Sequence, residues 1–311
     1  MPPETVHAIL ERIRKHWPQP NELEVTLEAN PGSVESARFR AYFEGGVSRV
    51  SMGIQALNDR DLQRLGRIHT VKEALNAFEI ARSTFDRVSF DLIYARQDQT
   101  PDHWRSELKQ ALNMAIDHLS LYQLTIEDGT AFGDRYRIGK LRGLPDENSA
   151  ATMYDITQEV TVAAGFNTYE VSNHARPGAE SRHNTLYWRY GDYIGVGPGA
   201  HGRVTINGQR TATEAIRMPD AWLAAAEKGN GDKLRTPLST DDQATEFLLM
   251  GLRLSDGIDI SRYSSLAGRP LPNHALQELS QIAMIEFKGT NLRATPNGRL
   301  VLNAVIAKLL E

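Results

Sequence analysis

Cysteine is absent from all 311 residues. Its absence excludes disulfide bonds, thiolate nucleophiles and cysteine-ligated metals or iron–sulfur clusters held by this sequence. Stability must therefore come from apolar burial, which the 41% share of hydrophobic residues can supply.

Long apolar runs and a strong charge of one sign are also lacking. No stretch approaches the roughly 20 apolar residues of a membrane-spanning helix, and no apolar segment follows Met1-Pro2-Pro3-Glu4 as in a secretory signal. The net charge of −4 indicates neither a nucleic-acid partner nor attraction to an anionic membrane. These observations predict a cytoplasmic protein.

The first half alternates helical and strand patterns. Strands are predicted at residues 24–28, 50–55, 88–93, 119–124 and 169–172. Repeated βα units indicate parallel strands, in a doubly wound sheet or a barrel. One strand face carries mostly small or polar side chains, which favours a barrel with a lined cavity over a filled core. These side chains are Thr26, Glu28, Ser51, Gly53, Gln55, Ser89, Asp91, Ser120 and Tyr122.

The number of strands is too small for closure. Four or five strands cannot close a barrel, and the strand at residues 24–28 would remain an unpaired edge. The pattern begins with a helix and no preceding strand, as if partway through a repeat. The predicted fold is therefore an α/β, open-sided, incomplete (β/α) barrel.

The alternation of strand and helix patterns ends at about residue 215. We assign residues 1–215 to the partial barrel and residues 216–311 to a small C-terminal domain. Thr240 and Gln243 can form a capping box, and Pro296-Asn297-Gly298 predicts a hairpin turn. Helices with one hairpin indicate a winged-helix-like domain, and its eight acidic and seven basic residues from Asp241 onward do not favour DNA binding.

Four segments place polar groups at the predicted barrel mouth: residues 28–32, 51–55, 65–69 and 90–94. Glu28 and Asp91 can accept hydrogen bonds from hydroxyls or an amine, and Arg67 can pair with a carboxylate. Together with Gln55, they suit a ligand that carries hydroxyls, an ammonium group and a carboxylate. The alternative is structural, with an Asp91–Arg67 ion pair and Glu28 capping a loop.

In this order and spacing, the segments resemble the radical-SAM proteins related to oxygen-independent coproporphyrinogen III dehydrogenase. The resemblance covers essentially the whole chain, including residues 195–201. It implies a radical-SAM (β/α) barrel in which Glu28, Gln55, Arg67, Asp91 and Ile93 contact S-adenosylmethionine. It also implies a [4Fe–4S] cluster as cofactor of the full-length family.

The segment His183-Asn184-Thr185-Leu186-Tyr187-Trp188 matches the His-Asn-x-x-Tyr-Trp motif of the heme-chaperone branch of that family. The resemblance implies that His183, Asn184, Tyr187 and Trp188 bind heme, with His183 as ligand of the heme iron. Neutral imidazole is a common axial ligand of heme. His201 is a second candidate, and the structural alternative is an aromatic loop in which His183 only forms hydrogen bonds.

Three departures from the family pattern stand out. The Cys-x-x-x-Cys-x-x-Cys motif and the Gly-Gly-Gly-Thr-Pro stretch are absent, and Tyr94-Ala95-Arg96-Gln97 stands where many relatives read Tyr-Gly-Leu-Pro. We expect from the first two that the sequence starts at an internal methionine or is a fragment, and that this chain does no radical chemistry.

The resemblance implies a heme chaperone that binds heme and S-adenosylmethionine and delivers heme to an acceptor. The acceptor would be a hemoprotein, for example a respiratory one, and peripheral contact with a membrane is compatible with this role. The alternative function is oxygen-independent coproporphyrinogen III dehydrogenase, which oxidatively decarboxylates propionates in heme biosynthesis. A third hypothesis is a silent, partly folded fragment with an open barrel edge.

Overall fold

A computed structural model describes residues 1–311, apart from the side chain of residue 131. The chain forms two compact units. The first contains residues 1–168 and 172–180, and the second contains residues 169–171 and 181–311. The boundary proposed between residues 215 and 216 concerns sequence domains and stays a prediction.

The first unit surrounds one sheet. Its strands are β1 (Thr26–Ala29), β2 (Arg49–Gln55), β3 (Arg87–Tyr94), β4 (His118–Gln123), β5 (Asn167–Thr168) and β6 (Asn173–Ala175). Its helices are α1 (Pro3–His16), α2 (Ser36–Gly45), α3 (Asp59–Arg64), α4 (Val71–Arg82), α5 (Pro101–Met114), α6 (Ala131–Arg137) and α7 (Glu147–Ala163). A short 3-10 helix at Pro31–Ser33 follows β1.

The sheet has the strand order β1-β2-β3-β4-β6-β5. The pairs β1–β2, β2–β3 and β3–β4 are parallel. Among the described residues, β1 pairs only with β2 and β5 only with β6, so the sheet is open and not a closed barrel. The prediction of an α/β, open-sided architecture is confirmed.

The prediction of a strand at residues 169–172 is wrong. These residues connect β5 to β6, and both pairs that β6 forms, with β4 and with β5, are antiparallel. The chain reverses within a few residues, which leaves no length for the helical crossover that a further parallel strand requires. The far edge of the sheet is therefore an antiparallel addition to four parallel strands.

Helices pack on the apolar face of the parallel strands. Phe78 of α4 meets Phe90 of β3 edge to face, with ring centroids 5.2 Å apart. Trp104 of α5 is fully buried, stacks on Tyr94 and donates from Nε1 to Thr157 Oγ1 at 2.8 Å. Burial of such aromatic side chains dominates core energetics, and it orients the opposite, polar face of the sheet away from the helices.

The predicted N-terminal caps of two of these helices are confirmed. Thr70 and Glu73 form a capping box at α4, and Thr100 caps α5 with Pro101 in its first turn. Each cap satisfies backbone N–H groups that have no partner within the helix. Helices α4 and α5 therefore begin where their sequences predict.

The second unit contains two small sheets. Its strands are β7 (His201–Ile206), β8 (Gln209–Ala215), β9 (Asp232–Pro237), β10 (Ile258–Asp259), β11 (Ile285–Lys288) and β12 (Asn291–Ala294). Its helices are α8 (Arg182–Trp188), α9 (Pro219–Ala226), α10 (Thr240–Gly251), α11 (Ile260–Ala267), α12 (Asn273–Gln281), α13 (Pro296–Leu300) and α14 (Leu302–Leu310).

The antiparallel sheet β7-β8-β9 is not predicted by the sequence analysis. The C-terminal elements run α10, β10, α11, α12, β11 and β12, with a sheet of order β10-β12-β11. This is a winged-helix arrangement, as predicted. Across the described part of the chain, every helix is too short or too polar to cross a membrane.

Two local predictions in this region are wrong. Ser239 and Asp242, not Thr240 and Gln243, form the capping box of α10, because the carboxylate is the better acceptor for the cap N–H. The hairpin turns at Gly289, which has φ +62°, whereas Pro296 starts α13. Proline is favoured at a first helical position. The Gly298 N–H, in the first turn of α13, donates to Thr295 Oγ1, which caps the helix.

Candidate functional site

The polar face of the first unit is aligned by the strand register. Glu28 lies opposite Ser51, Ser51 opposite Ser89, and Asp91 opposite Ser120. Residues in register on neighbouring strands share a face. The sheet therefore brings the predicted residues Glu28 and Asp91 to one surface.

The two carboxylates influence each other electrostatically. Burial, together with the charge of Glu28, raises the pKa of Asp91 to about 7. Hydrogen bonds from Ser120 and Ser51 and the charge of Arg49 act in the opposite direction. Such a carboxyl changes its charge near neutral pH.

Glu28 is exposed to solvent as a residue. The surrounding protein nevertheless desolvates its carboxyl in part, and this desolvation raises the pKa of Glu28. Arg49 lowers this pKa and so opposes the effect of burial. The pair can thus offer acceptors to an amine or hydroxyl ligand, with one carboxyl partly protonated.

Gln55 lies at the carboxyl end of β2, where the register shifts between Met52 and Gln55. Its backbone is left-handed, with φ 76°, and its side chain is buried. A Cβ at Gly53 would lie 2.8 Å from Gln55 Nε2, so glycine leaves room for the amide. Strain of this kind at a strand end is typical of functional positions.

Arg67 belongs to the loop after α3. Its backbone N–H donates to the Leu62 carbonyl at 2.8 Å, and Gly66 before it is left-handed, with φ 73°. The Nε of Arg67 is buried without a hydrogen-bond partner. A carboxylate from a ligand would satisfy this donor.

Ile93 is partly buried on β3, two residues beyond Asp91 and therefore on the same face. Its carbonyl accepts a hydrogen bond from Arg96 Nη1 at 2.5 Å. Arg96 is one of the residues that depart from the family pattern, and it also pairs with Asp61 and Glu107. Arg96 therefore anchors the loop that follows β3.

Three residues on or beside this face were not among the predicted ligand residues, although Ser89 was predicted to lie on the face. Arg49 and Ser89 extend it toward the amino ends of β2 and β3, and Asn173 Oδ1 accepts from Ser120 Oγ at 2.6 Å. Arg49 could have been found, because it precedes Ser51 by two residues and so shares its face. Asn173 could not, because the antiparallel strand β6 was not predicted.

S-adenosylmethionine fits the donor and acceptor set of the first unit. The unsatisfied Arg67 Nε suits its carboxylate, and the acceptors Glu28 and Asp91 suit its ammonium group and ribose hydroxyls. The [4Fe–4S] cluster does not fit, since the chain has no thiolate. Within the described residues, no three His, Asp or Glu side chains are grouped to bind a metal.

The heme-motif residues of the second unit occupy one short helix. Ser181 caps α8 by accepting from the Asn184 backbone N–H, so Asn184 contributes through its main chain at this cap. His183 is exposed at the second helical position, and its ring meets Tyr187 edge to face at 4.5 Å. Trp188 ends the helix, with the Arg253 guanidinium 5.9 Å from its ring.

Aromatic contacts continue from α8 into the following loop. Tyr187 meets Tyr193 at 4.3 Å between ring centroids. Tyr187, Tyr190, Tyr193, Arg203 and Glu246 help to line a pocket of about 130 Å³. His201, the second candidate, is exposed at the start of β7, and a Cβ at Gly195 would lie 2.1 Å from its carbonyl oxygen.

The radical SAM superfamily profile matches residues 1–111, and the HemN C-terminal domain profile matches residues 238–301. The chain resembles coproporphyrinogen III oxidase (HemN) from Escherichia coli with a TM-score of 0.79, over 99% of this chain and 74% of that one. The sequence identity of 18% supports likeness of fold alone.

Closer sequence relatives carry two names. The mitochondrial radical S-adenosyl methionine domain-containing protein 1 of Bos taurus is 38% identical over 99% of this chain and 72% of its own length. Heme chaperone HemW of Haemophilus influenzae is 34% identical over 99% of this chain and 79% of its own. Heme chaperone HemW of Escherichia coli is 33% identical over 98% and 79%, respectively.

Proposed function

The chain belongs to the radical-SAM family that contains heme chaperone HemW, and on this premise we propose that it binds heme and delivers it to an acceptor protein. One observation carries the heme site: helix α8 exposes His183 beside the rings of Tyr187 and Tyr193. An accessible imidazole can approach heme iron without unfolding of the chain, and neighbouring aromatic rings can contact the macrocycle.

The proposed chemistry on α8 is ligand exchange at iron. An imidazole nitrogen of His183 would coordinate the iron, and the Ser181 cap holds the first turn of the helix in place. An exposed site favours transfer, since an acceptor can reach heme bound at the surface. Asn184 and Trp188 stay proposed heme contacts.

We further propose that Glu28, Gln55, Arg67, Asp91 and Ile93 bind S-adenosylmethionine. When bound, this cofactor brings a sulfonium centre that can be cleaved to a radical only with an electron from a cluster. Residues of this chain do not fit a cluster, so the proposed function includes no radical step. The named side chains would bind and orient the nucleoside and methionine groups.

The dehydrogenase function is not favoured. Relatives named as heme chaperones reach 32–34% identity, while the likeness to coproporphyrinogen III oxidase rests on fold. The acceptor is proposed to be a hemoprotein, and the proposed location is the cytoplasm.

Hemin titration of purified protein tests the heme site. We expect a Soret shift on binding and an affinity at least ~10-fold lower in His183→Ala, because an axial ligand is lost. His274→Ala is the matched control, since His274 is also exposed at the second position of a helix in the same unit. Equal affinity in all three proteins would remove His183 from the site.

A further inference from the structure

We propose that a directed chain of hydrogen bonds, from Arg49 through Ser89 and Ser51, controls the protonation of Asp91. It thereby controls the pH range in which the polar face binds its ligand. Arg49, Ser89 and Ser51 are positioning residues in this scheme, since none of them needs to touch the ligand. The part that concerns S-adenosylmethionine rests on the proposed function, whereas the part that concerns Asp91 does not.

The links join four residues on two neighbouring strands, Arg49 and Ser51 on β2 and Ser89 and Asp91 on β3. Arg49 Nη2 donates to Ser89 Oγ at 2.7 Å, and Ser89 Oγ donates to Ser51 Oγ at 3.1 Å. Ser51 Oγ donates to Asp91 Oδ1 at 3.5 Å, the longest link. The first three residues are at most 5% exposed, so water does not compete strongly with these contacts.

The first link has a fixed direction, because a guanidinium can only donate. Ser89 accepts from Arg49, and its own hydroxyl donates to Ser51. Ser51 accepts from Ser89, and its own proton points to Asp91. A donor directed at a carboxylate favours the ionised form of that carboxylate.

Other groups that face Asp91 also shift its pKa, in opposite directions. Glu28 on β1 raises the pKa of Asp91, and Arg49 on β2 lowers it. On β4, Ser120 contributes a hydroxyl, while burial lowers the pKa of His118 well below its ordinary value, so that His118 is uncharged near pH 7. With its pKa at about 7, Asp91 responds to a small change in hydrogen bonding.

Arg87 is a further charge on this face, two residues before Ser89 on β3. It forms ion pairs with Glu24 and Asp117 and takes no part in the hydrogen-bond chain. The chain therefore joins one buried cation, Arg49, to one carboxyl. Ionised Asp91 can accept hydrogen bonds from ribose hydroxyls or an ammonium group, and protonation removes one acceptor.

The test is an NMR titration of aspartate carboxyl carbons in ¹³C-labelled protein, with Asp91→Asn to assign the resonance. We expect a midpoint near 7 in the unmodified protein and a rise of about one unit in Ser89→Ala, because Ser51 is no longer oriented. Ser51→Ala removes the last link and serves as second variant if Ser89→Ala does not fold. Both variants retain the charge of Arg49.

Thr161→Val is the matched control, because Thr161, like Ser89, has a hydroxyl in a side chain with 0% exposure in the first unit. Its hydroxyl donates to the Thr157 carbonyl, away from Asp91. We expect no change in the Asp91 midpoint. An unchanged midpoint in a folded Ser89→Ala or Ser51→Ala would overturn the proposal.

Calorimetric titration with S-adenosylmethionine between pH 6 and 8.5 separates this inference from the proposed function. At pH 7, a one-unit rise would lower the ionised fraction of Asp91 and weaken binding roughly five-fold in Ser89→Ala, with recovery at higher pH. Binding that is absent at every pH in the unmodified protein would contradict the proposed function. The NMR midpoints would then still decide the hydrogen-bond chain.

Discussion

In the first unit, the candidate residues apart from Arg67 lie on adjacent strands, and the sheet carries a partly buried polar network. In the second unit, the heme-motif residues follow one another on α8, and His183 is exposed. Partial burial shifts the pKa values of the carboxyl groups in the first unit, and keeping such groups charged lowers the stability of the fold. A surface helix can carry an iron ligand at little cost to the fold.

Asp91→Asn gives the largest expected effect. Asp91 has its pKa raised from 3.8 to about 7 in the folded state, so the folded protein binds more protons than the unfolded chain between these values. Stability should therefore fall as pH rises from about 4 to about 7. We expect Asp91→Asn to gain about 2–4 kcal/mol at pH 8 and nothing at pH 4.

Urea unfolding at both pH values measures this gain. A variant that is no more stable than the unmodified protein at pH 8 would show that the ionised carboxylate of Asp91 does not destabilise the fold. The contrast between the two units would then fail.

Ser181→Ala tests whether the heme-motif helix depends on its cap. Ser181 is buried and accepts from the Asn184 N–H at 3.3 Å. Loss of the cap should cost about 1 kcal/mol of unfolding free energy. Thermal unfolding that matches the unmodified protein would indicate that packing alone fixes α8.

Ala95→Gly sharpens the description of the loop after β3. Ala95 is left-handed, with φ 57°, a conformation that glycine adopts without a Cβ penalty. We expect a gain of about 0.5–1 kcal/mol in unfolding free energy, offset in part by unfolded-state entropy. A loss of stability would mean that the buried methyl group contributes more than the strain.

His183→Ala should have the smallest effect on stability, although we expect it to lower heme affinity strongly. Exposed side chains away from caps and core usually change stability by about 0.5 kcal/mol or less. Denaturant unfolding without heme measures it. A loss well above 1 kcal/mol would make the structural alternative for His183 correct.

Much of the first unit could be predicted from the sequence, because its signals are local. Alternation located β1 to β4, and Thr70 and Thr100 located the starts of two helices. The antiparallel strand β6 was not predicted. Its three residues are too few to show an alternating pattern, and they form a strand because they pair with β4. With β6, the contact of Asn173 with Ser120 was missed as well.

The sequence predicted which residues belong to the site, but not the hydrogen bonds that connect them. Glu28, Asp91 and Gln55 share strand ends, which a period of two reveals. The left-handed φ of Gln55 depends on the register shift in β2. The role of Arg49 depends on which hydroxyls lie across the sheet, and no single strand contains that information.

Calorimetric titration of S-adenosylmethionine at pH 8 into the unmodified protein and Asp91→Asn tests the central claim most directly. We expect saturable binding of one ligand per chain, with an affinity at least ~10-fold lower in Asp91→Asn, because the amide offers one acceptor in place of a charged carboxylate. Equal affinities, or no binding to the folded unmodified protein, would contradict it.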